Sequence, residues 1–285
     1  MMLMLQEPLN VSEMIFHHTA DVCTLDFYPI GEWTIPGCHL TYPIAATLSP
    51  TKHVVWMLIA ALLVFVTLWI AGRGVARQKP GQPPKGFSGA MEGLVLWVRN
   101  DIAIANIGHD GARFAPLIIT LFFFVLYCNL LGLVPWGSSA TGNLAVTASL
   151  AILVFLVIEI GGMLKLGFKG YMGTIFMHIP GMHGPGAVAL SIALAPLEII
   201  GKLVKPFALA VRLFGNMTAG HFVILSLFGI VFLFGHLGIA SWGIGIMTAL
   251  VVVGVMLLEL IVALLQAYVF ALLSAVFIGL MQHEH

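Results

Sequence analysis

The chain has 285 residues, 60% of them apolar and only 8% charged, with a mean hydropathy of +1.05. Soluble domains carry about 25% charged residues, so a water-soluble enzyme, a disordered chain and a nucleic-acid binder are excluded. Twelve basic and twelve acidic residues cancel and leave no basic field for a polyanion; the composition is that of a polytopic membrane protein.

Residues 1–52 form a polar N-terminal segment without a basic n-region or an apolar h-region, so no cleavable signal is expected. Cys23 and Cys38 lie here and Cys128 inside an apolar run, too few cysteines for a disulfide framework. A Cys23–Cys38 bridge and two separate thiols are both open, depending on whether the segment faces an oxidising compartment. His17, His18, His39 and His53 show no convincing ligand spacing, and no metal or cofactor is expected.

A spanning helix needs about 20 predominantly apolar residues. The first predicted span is 53–72, closed by Arg73, Arg77, Lys79 and a Pro-rich stretch at 80–84. An inner-side segment, 73–114, then contains an amphipathic helix over 91–113. There Glu92, Arg99, Asn106, Asp110 and Arg113 share one side of a 3.6-period wheel, opposite Leu94, Trp97, Val98 and Ile104. Such a helix suits the membrane interface, although Asp101 falls among its apolar residues. A transmembrane hairpin occupies 115–169, with spans at 115–135 and 143–164; Asn129 and Asn143 are read as bonding between helices. A Gly/Pro/His-rich inner loop, 170–186, includes His178 and His183, for which a structural role is expected.

Two longer apolar tracts, 187–234 and 240–281, complete the chain. About 40 helical residues reach roughly 60 Å, twice the roughly 30 Å hydrocarbon core. No polar turn divides either tract, and the strongest break, 234–238, falls between them. Residues 187–285 are therefore predicted to form a long, tilted helical hairpin. The fold class is an all-α membrane protein with five crossings. Eleven of the twelve basic residues lie in 73–113, 165–169 and 202–212, with Lys52 the exception. This distribution places the N-terminus outside and the C-terminus inside.

The first long tract carries Glu198, Lys202, Lys205, Arg212 and Asn216 at steps of 4, 3, 7 and 4, which return to one helix face. For Lys202 and Lys205, snorkelling to the headgroups is an equal alternative to a polar path. Arg212 lies near the middle of its tract, seven residues from the nearest charge, where a permanent cation marks a water cavity or a partner carboxylate. His221 points away from that stripe. On the second tract Glu259 and Gln266 share a face, with Ser274 further along it. Histidine titrates near neutrality, so a His221/Glu259 pair on neighbouring helices is suited to exchanging protons. Glu159 is a weaker candidate for the same pathway.

The run Pro206-Phe207-Ala208-Leu209-Ala210-Val211-Arg212-Leu213-Phe214-Gly215-Asn216-Met217-Thr218-Ala219-Gly220-His221 resembles subunit a of the proton-translocating F-type ATP synthase. Supporting matches are the segment from Asn129 to Pro135, Glu198 with Lys205-Pro206, and the run from Leu265 to Phe270. The resemblance covers about residues 50–285. It implies a membrane stator beside a ring of c subunits, held by the b subunits of a peripheral stalk, in a bacterial inner membrane. It also implies two offset aqueous half-channels for H⁺, with Arg212 preventing a short circuit between them. Asn216, His221, Glu259 and Gln266 match outer half-channel positions, and Glu198 an inner one. Some bacterial members carry the acid and the histidine exchanged relative to His221 and Glu259. A secondary transporter or a subunit of a proton-pumping respiratory complex is the alternative, but the internal repeats usual in transporters are missing from the sequence.

Overall fold

The computed structural model describes residues 23–27, 31–35, 51–77, 86–134, 137–176, 185–234 and 239–283. Before the first helix, β1 (Thr24–Phe27) and β2 (Gly31–Thr34) form an antiparallel hairpin that sets Leu25 opposite Trp33. This element was not anticipated. Its strands are four residues long, and Ile35 N–H donates to the Cys23 carbonyl to extend the ladder. Cys23 is disulfide-bonded and Cys128 is a free, buried thiol. Cys38, like His17, His18, His39, His178 and His183, lies outside the described residues.

Among the described residues, five helices are long and apolar enough to cross a membrane. They are α1 (Lys52–Ala76), α3 (Gly111–Leu133), α4 (Leu144–Ile175), α5 (Pro185–Phe234) and α6 (Ile239–His283). Between the first two lies α2 (Phe87–Trp97), continued by a π-helical segment, Val98–Ile104, and a last turn, Ala105–Ile107. Each long tract is one continuous helix, as the missing polar turn implies. At 1.5 Å per residue α5 is about 75 Å long. Pro196 and Pro206 lie inside it without ending it.

The segment predicted as a helix over 91–113 differs in extent and in phase. It stops at Ile107, Gly108 takes a φ of 80°, and Asp110 sits in the turn before α3, to which Arg113 belongs. The π segment explains Asp101. Its i→i+5 bonds widen the turn, so Val98, Ile102 and Ala103 are buried while Arg99, Asn100 and Asp101 are exposed. A 3.6-residue wheel drawn through this stretch assigns Asp101 to the wrong side.

Helix α4 is bent sharply at Gly167, where φ is 70° and ψ 169°, a conformation that glycine adopts without a Cβ penalty. The expected end of the third span at about 164 therefore lies close to a real break, although helix resumes beyond it to Ile175.

The described chain forms two compact units. The first draws on Met1–Ala61, Tyr127–Asn143 and Phe214–Leu265; the second on Leu62–Leu126, Leu144–Leu213 and Gln266–His285. In the second, Trp97 stacks on Tyr268 of α6 at 5.6 Å and meets Phe122 of α3 edge-on at 6.2 Å. Such aromatic pairs add about 0.5–1.5 kcal/mol beyond burial. Also in this unit, Lys165 Nζ donates to Asp110 at 2.7 Å and holds that carboxyl below its usual range through the hydrogen bond and its charge.

Candidate functional sites in the two units

In the first unit, α1 begins with two buried polar residues, Lys52 and His53. His53 Nδ1 lies 3.1 Å from the Ser139 carbonyl and 3.3 Å from Ser138 Oγ, in the turn between α3 and α4. The turn is itself fixed by buried hydroxyls. Ser139 Oγ and Thr141 Oγ1 are 2.6 Å apart, Thr141 donates to Asn129 Oδ1 at 2.7 Å, and Asn129 donates to the Ala263 carbonyl of α6 at 3.4 Å. Asn129 thus joins α3 to α6, the interhelical role its sequence position suggests. A cavity of about 120 Å³ opens beside this turn, lined by His53, Ser138, Ser139, Thr218 and His221 among others. One water needs roughly 10–15 Å³ of such space, so the cavity has room for several.

Glu259 of α6 belongs to the same unit and is only 4% exposed. Neither carboxylate oxygen has a hydrogen-bond partner among the described residues. The carboxyl lies against Gly220 of α5, so closely that a Cβ at position 220 would collide with it. Glycine at 220 therefore makes the seat for Glu259, one residue before His221. Glu259 and His221 are not hydrogen-bonded to each other, so proton exchange between them requires an intervening water. A buried carboxylate is costly without a polar partner, and water in this region would supply one.

The second unit gathers a different set. A cavity of about 70 Å³ is lined by Glu159 of α4, Glu198, Lys202 and Lys205 of α5, and Phe277 of α6. The bend at Gly167 folds the end of α4 back so that Tyr171 donates its hydroxyl proton to Glu159. On a straight helix these two residues would be about 18 Å apart. Lys202 is buried, donates to Thr174 Oγ1 at 2.8 Å, and stands 4.7 Å from the Tyr171 ring. Lys205 is exposed with its ammonium 5.5 Å from the Phe277 ring. Gln266 is buried in this unit, and Ser274 donates to its own helix at the Phe270 carbonyl.

Arg212 and Asn216 are exposed on α5, on the same side of the helix as Glu198. Arg212 forms no ion pair among the described residues. It stands in an exposed apolar surface that includes Phe207 and Val211. A charge at membrane depth costs about 2.5–3.5 kcal/mol or more against lipid, so this surface suits a partner offering a carboxylate.

His53, Ser138, Ser139, Thr141, Tyr171, Thr174 and Gly220 are the participants that sequence reasoning missed. The polar run at 138–143 between two apolar spans was a usable signal; the contacts across 86 residues, and those created by the bend at Gly167, were not.

Residues 54–279 match the family described as ATP synthase A chain. The chain is 43% identical over 269 residues to ATP synthase subunit a 2 of Chlorobaculum tepidum, covering 94% of this chain and 72% of that protein. It is 43% identical to ATP synthase subunit a of Chloroherpeton thalassium, covering 94% and 76%. With ATP synthase subunit a of Myxococcus xanthus it shares 45% identity over 243 residues, 84% of this chain and 75% of that one. With five membrane-length helices and a match over most of its length, the chain belongs to the family of ATP synthase subunit a, an integral membrane component of that complex.

Proposed function

We propose that the chain carries two separate proton paths, one from each side of the membrane, and that Arg212 couples them to rotation of a ring of c subunits. The observation that carries this reading is a pair of cavities with ionisable side chains in their walls, each within its own unit. One is lined by His53 and His221, with Glu259 seated in the same unit; the other is lined by Glu159, Glu198, Lys202 and Lys205. Asn216 and Gln266 are assigned to the outer path on their resemblance to family positions.

The positive-inside distribution supports an outer position for the 137–142 turn, which has no Lys or Arg, and an inner one for 165–176. On that orientation the N-terminus is outside, the C-terminus is inside, and the membrane is the bacterial inner membrane. The amphipathic α2 lies at the inner interface, and α5 and α6 form a tilted hairpin whose exposed surface receives the ring. The b subunits of the stalk are the other partners.

Arg212 acts as a fixed positive post. Its guanidinium stays protonated at accessible pH, so it does not pass a proton from one path to the other. It also favours the ionised form of a rotor carboxylate brought opposite it. A proton entering by one path neutralises the rotor carboxylate, which then leaves the arginine, and the carboxylate loses its proton to the other path before it returns. The test is ATP synthesis by the assembled complex in membrane vesicles. Arg212→Ala and Arg212→Lys should both abolish proton-driven synthesis with the complex still assembled, because lysine lacks the planar multi-donor head and the very high pKa. Near-normal synthesis with alanine would overturn the reading.

A further inference from the structure

We propose that a groove between the start of α3 and the middle of α4 binds one phospholipid with an anionic headgroup. The proposal stands apart from the two proton paths and uses none of their residues. The groove is a cavity of about 360 Å³ within the second unit, walled by Phe114 of α3 and by Val157, Ile160, Gly161 and Leu164 of α4. That volume falls in the range of about 300–1,000 Å³ usual for small-molecule sites. The four α4 residues share one helix face, on which Ile160 is 54% and Leu164 78% exposed. A Cβ at position 161 would stand an ordinary 3.6 Å from Phe114 Cζ, so close packing does not demand this glycine. Its missing side chain widens the groove instead.

The same cavity is charged at one end, where Asp110, Arg113 and Lys165 complete its lining. Asp110 and Lys165 pair at 2.7 Å and cancel, which leaves the charge of Arg113 uncompensated. Arg113 is exposed and forms no ion pair among the described residues. It lies in the first turn of α3, and Lys165 lies just before the bend at Gly167, so both stand at the ends of apolar spans, the level of the headgroups. A planar guanidinium presents donors that match a phosphate in pairs. An anionic phospholipid brings one net negative charge to balance Arg113 and an acyl chain to cover the α4 face. A zwitterionic lipid leaves the positive charge unbalanced, and a soluble anion leaves the apolar wall uncovered.

The test uses the whole complex in phosphatidylcholine vesicles that contain phosphatidylglycerol with a photoactivatable diazirine on its acyl chain. After illumination, mass spectrometry of the peptides locates the adduct. The peptide holding residues 157–164 should be labelled, with unlabelled phosphatidylglycerol competing and phosphatidylethanolamine not. Arg113→Gln should cut labelling about fivefold, as loss of one cation near an anionic lipid does. Asp110→Asn should raise it by about the same factor, because Lys165 is then uncompensated. Gly161→Leu fills the groove, keeps the charged end, and should bring labelling to background in the assembled complex. Equal labelling by a phosphatidylethanolamine probe, or an unchanged yield in Arg113→Gln, would mark an ordinary boundary lipid and overturn the proposal. So would the absence of any adduct at 157–164, which would show another subunit covering the groove. If Gly161→Leu does not assemble, the two charge variants decide.

Discussion

The two units hold their ionisable side chains in opposite ways. In the first, Glu259 is buried with neither oxygen hydrogen-bonded among the described residues, and a cavity lined by two histidines opens in the same unit. In the second, Glu159 accepts a hydrogen bond from the Tyr171 hydroxyl and Lys202 donates one to Thr174, so both side chains are tied to neighbours before any water is considered. The difference teaches what each can do. A carboxyl without a fixed partner is free to exchange protons with any water that reaches it, whereas a hydrogen-bonded set keeps its geometry.

The comparison breaks most severely if the seat of Glu259 is filled. Gly220→Ala places a methyl group where the carboxyl now lies. The flexible end of Glu259 has to move, so the complex should assemble while pumping falls by on the order of ten- to a hundredfold, as displacement by about 1 Å commonly does at a reacting centre. Pumping assays with a subunit blot check both parts. Glycine's small size is the point; unchanged pumping would show that the position of the carboxyl does not matter.

Exchanging the two outer groups sharpens the comparison. His221→Glu with Glu259→His should retain several-fold more activity than either single change, since each single change leaves two acids or two histidines whose titrations interfere. Additive losses in the double variant would separate the residues into independent roles.

In the second unit, Gly167→Ala strains a position whose φ of 70° and ψ of 169° are essentially reserved for glycine, at a cost of about 1–3 kcal/mol. Tyr171 should then leave Glu159, and pumping should drop by about threefold, less than for Gly220→Ala, because Glu198 and Lys205 still line the cavity. The smallest effect belongs to the exposed Asp110–Lys165 pair. The carboxyl is held low in the folded chain, so its stabilisation is present above the ordinary carboxylate range and is lost as pH falls through the lowered folded value. Asp110→Asn should therefore lower the melting temperature only slightly at neutral pH, with the difference shrinking in high salt and vanishing in acid.

Length and hydropathy alone revealed α5 and α6, because a helix of 45 or 50 residues needs no partner to be recognised when no polar turn divides it. The polar phase on α5 was equally plain from spacing. Legibility failed where local period and real geometry part. The π segment moved Asp101 to the exposed side, and the bend at Gly167 brought together residues that a straight helix separates. Four-residue strands such as β1 and β2 carry too little alternation to stand out beside an all-helical pattern. His53 was visible as a residue, but its partners lie 85 and 86 positions away, and nothing in the local sequence names them.

The central claim is that the two cavities hold water from opposite sides of the membrane. The most direct measurement is labelling of single cysteines by a membrane-impermeant thiol reagent in right-side-out and inverted vesicles containing the complex. Cysteine in place of Ile224, which lines the first cavity, should react from the outside, and cysteine in place of Phe155, which lines the second, from the inside. Cysteine at the buried positions Val125 and Ala263 should stay unlabelled from either side. Labelling of both cavity positions from one side, or equal protection at all four, would contradict the account.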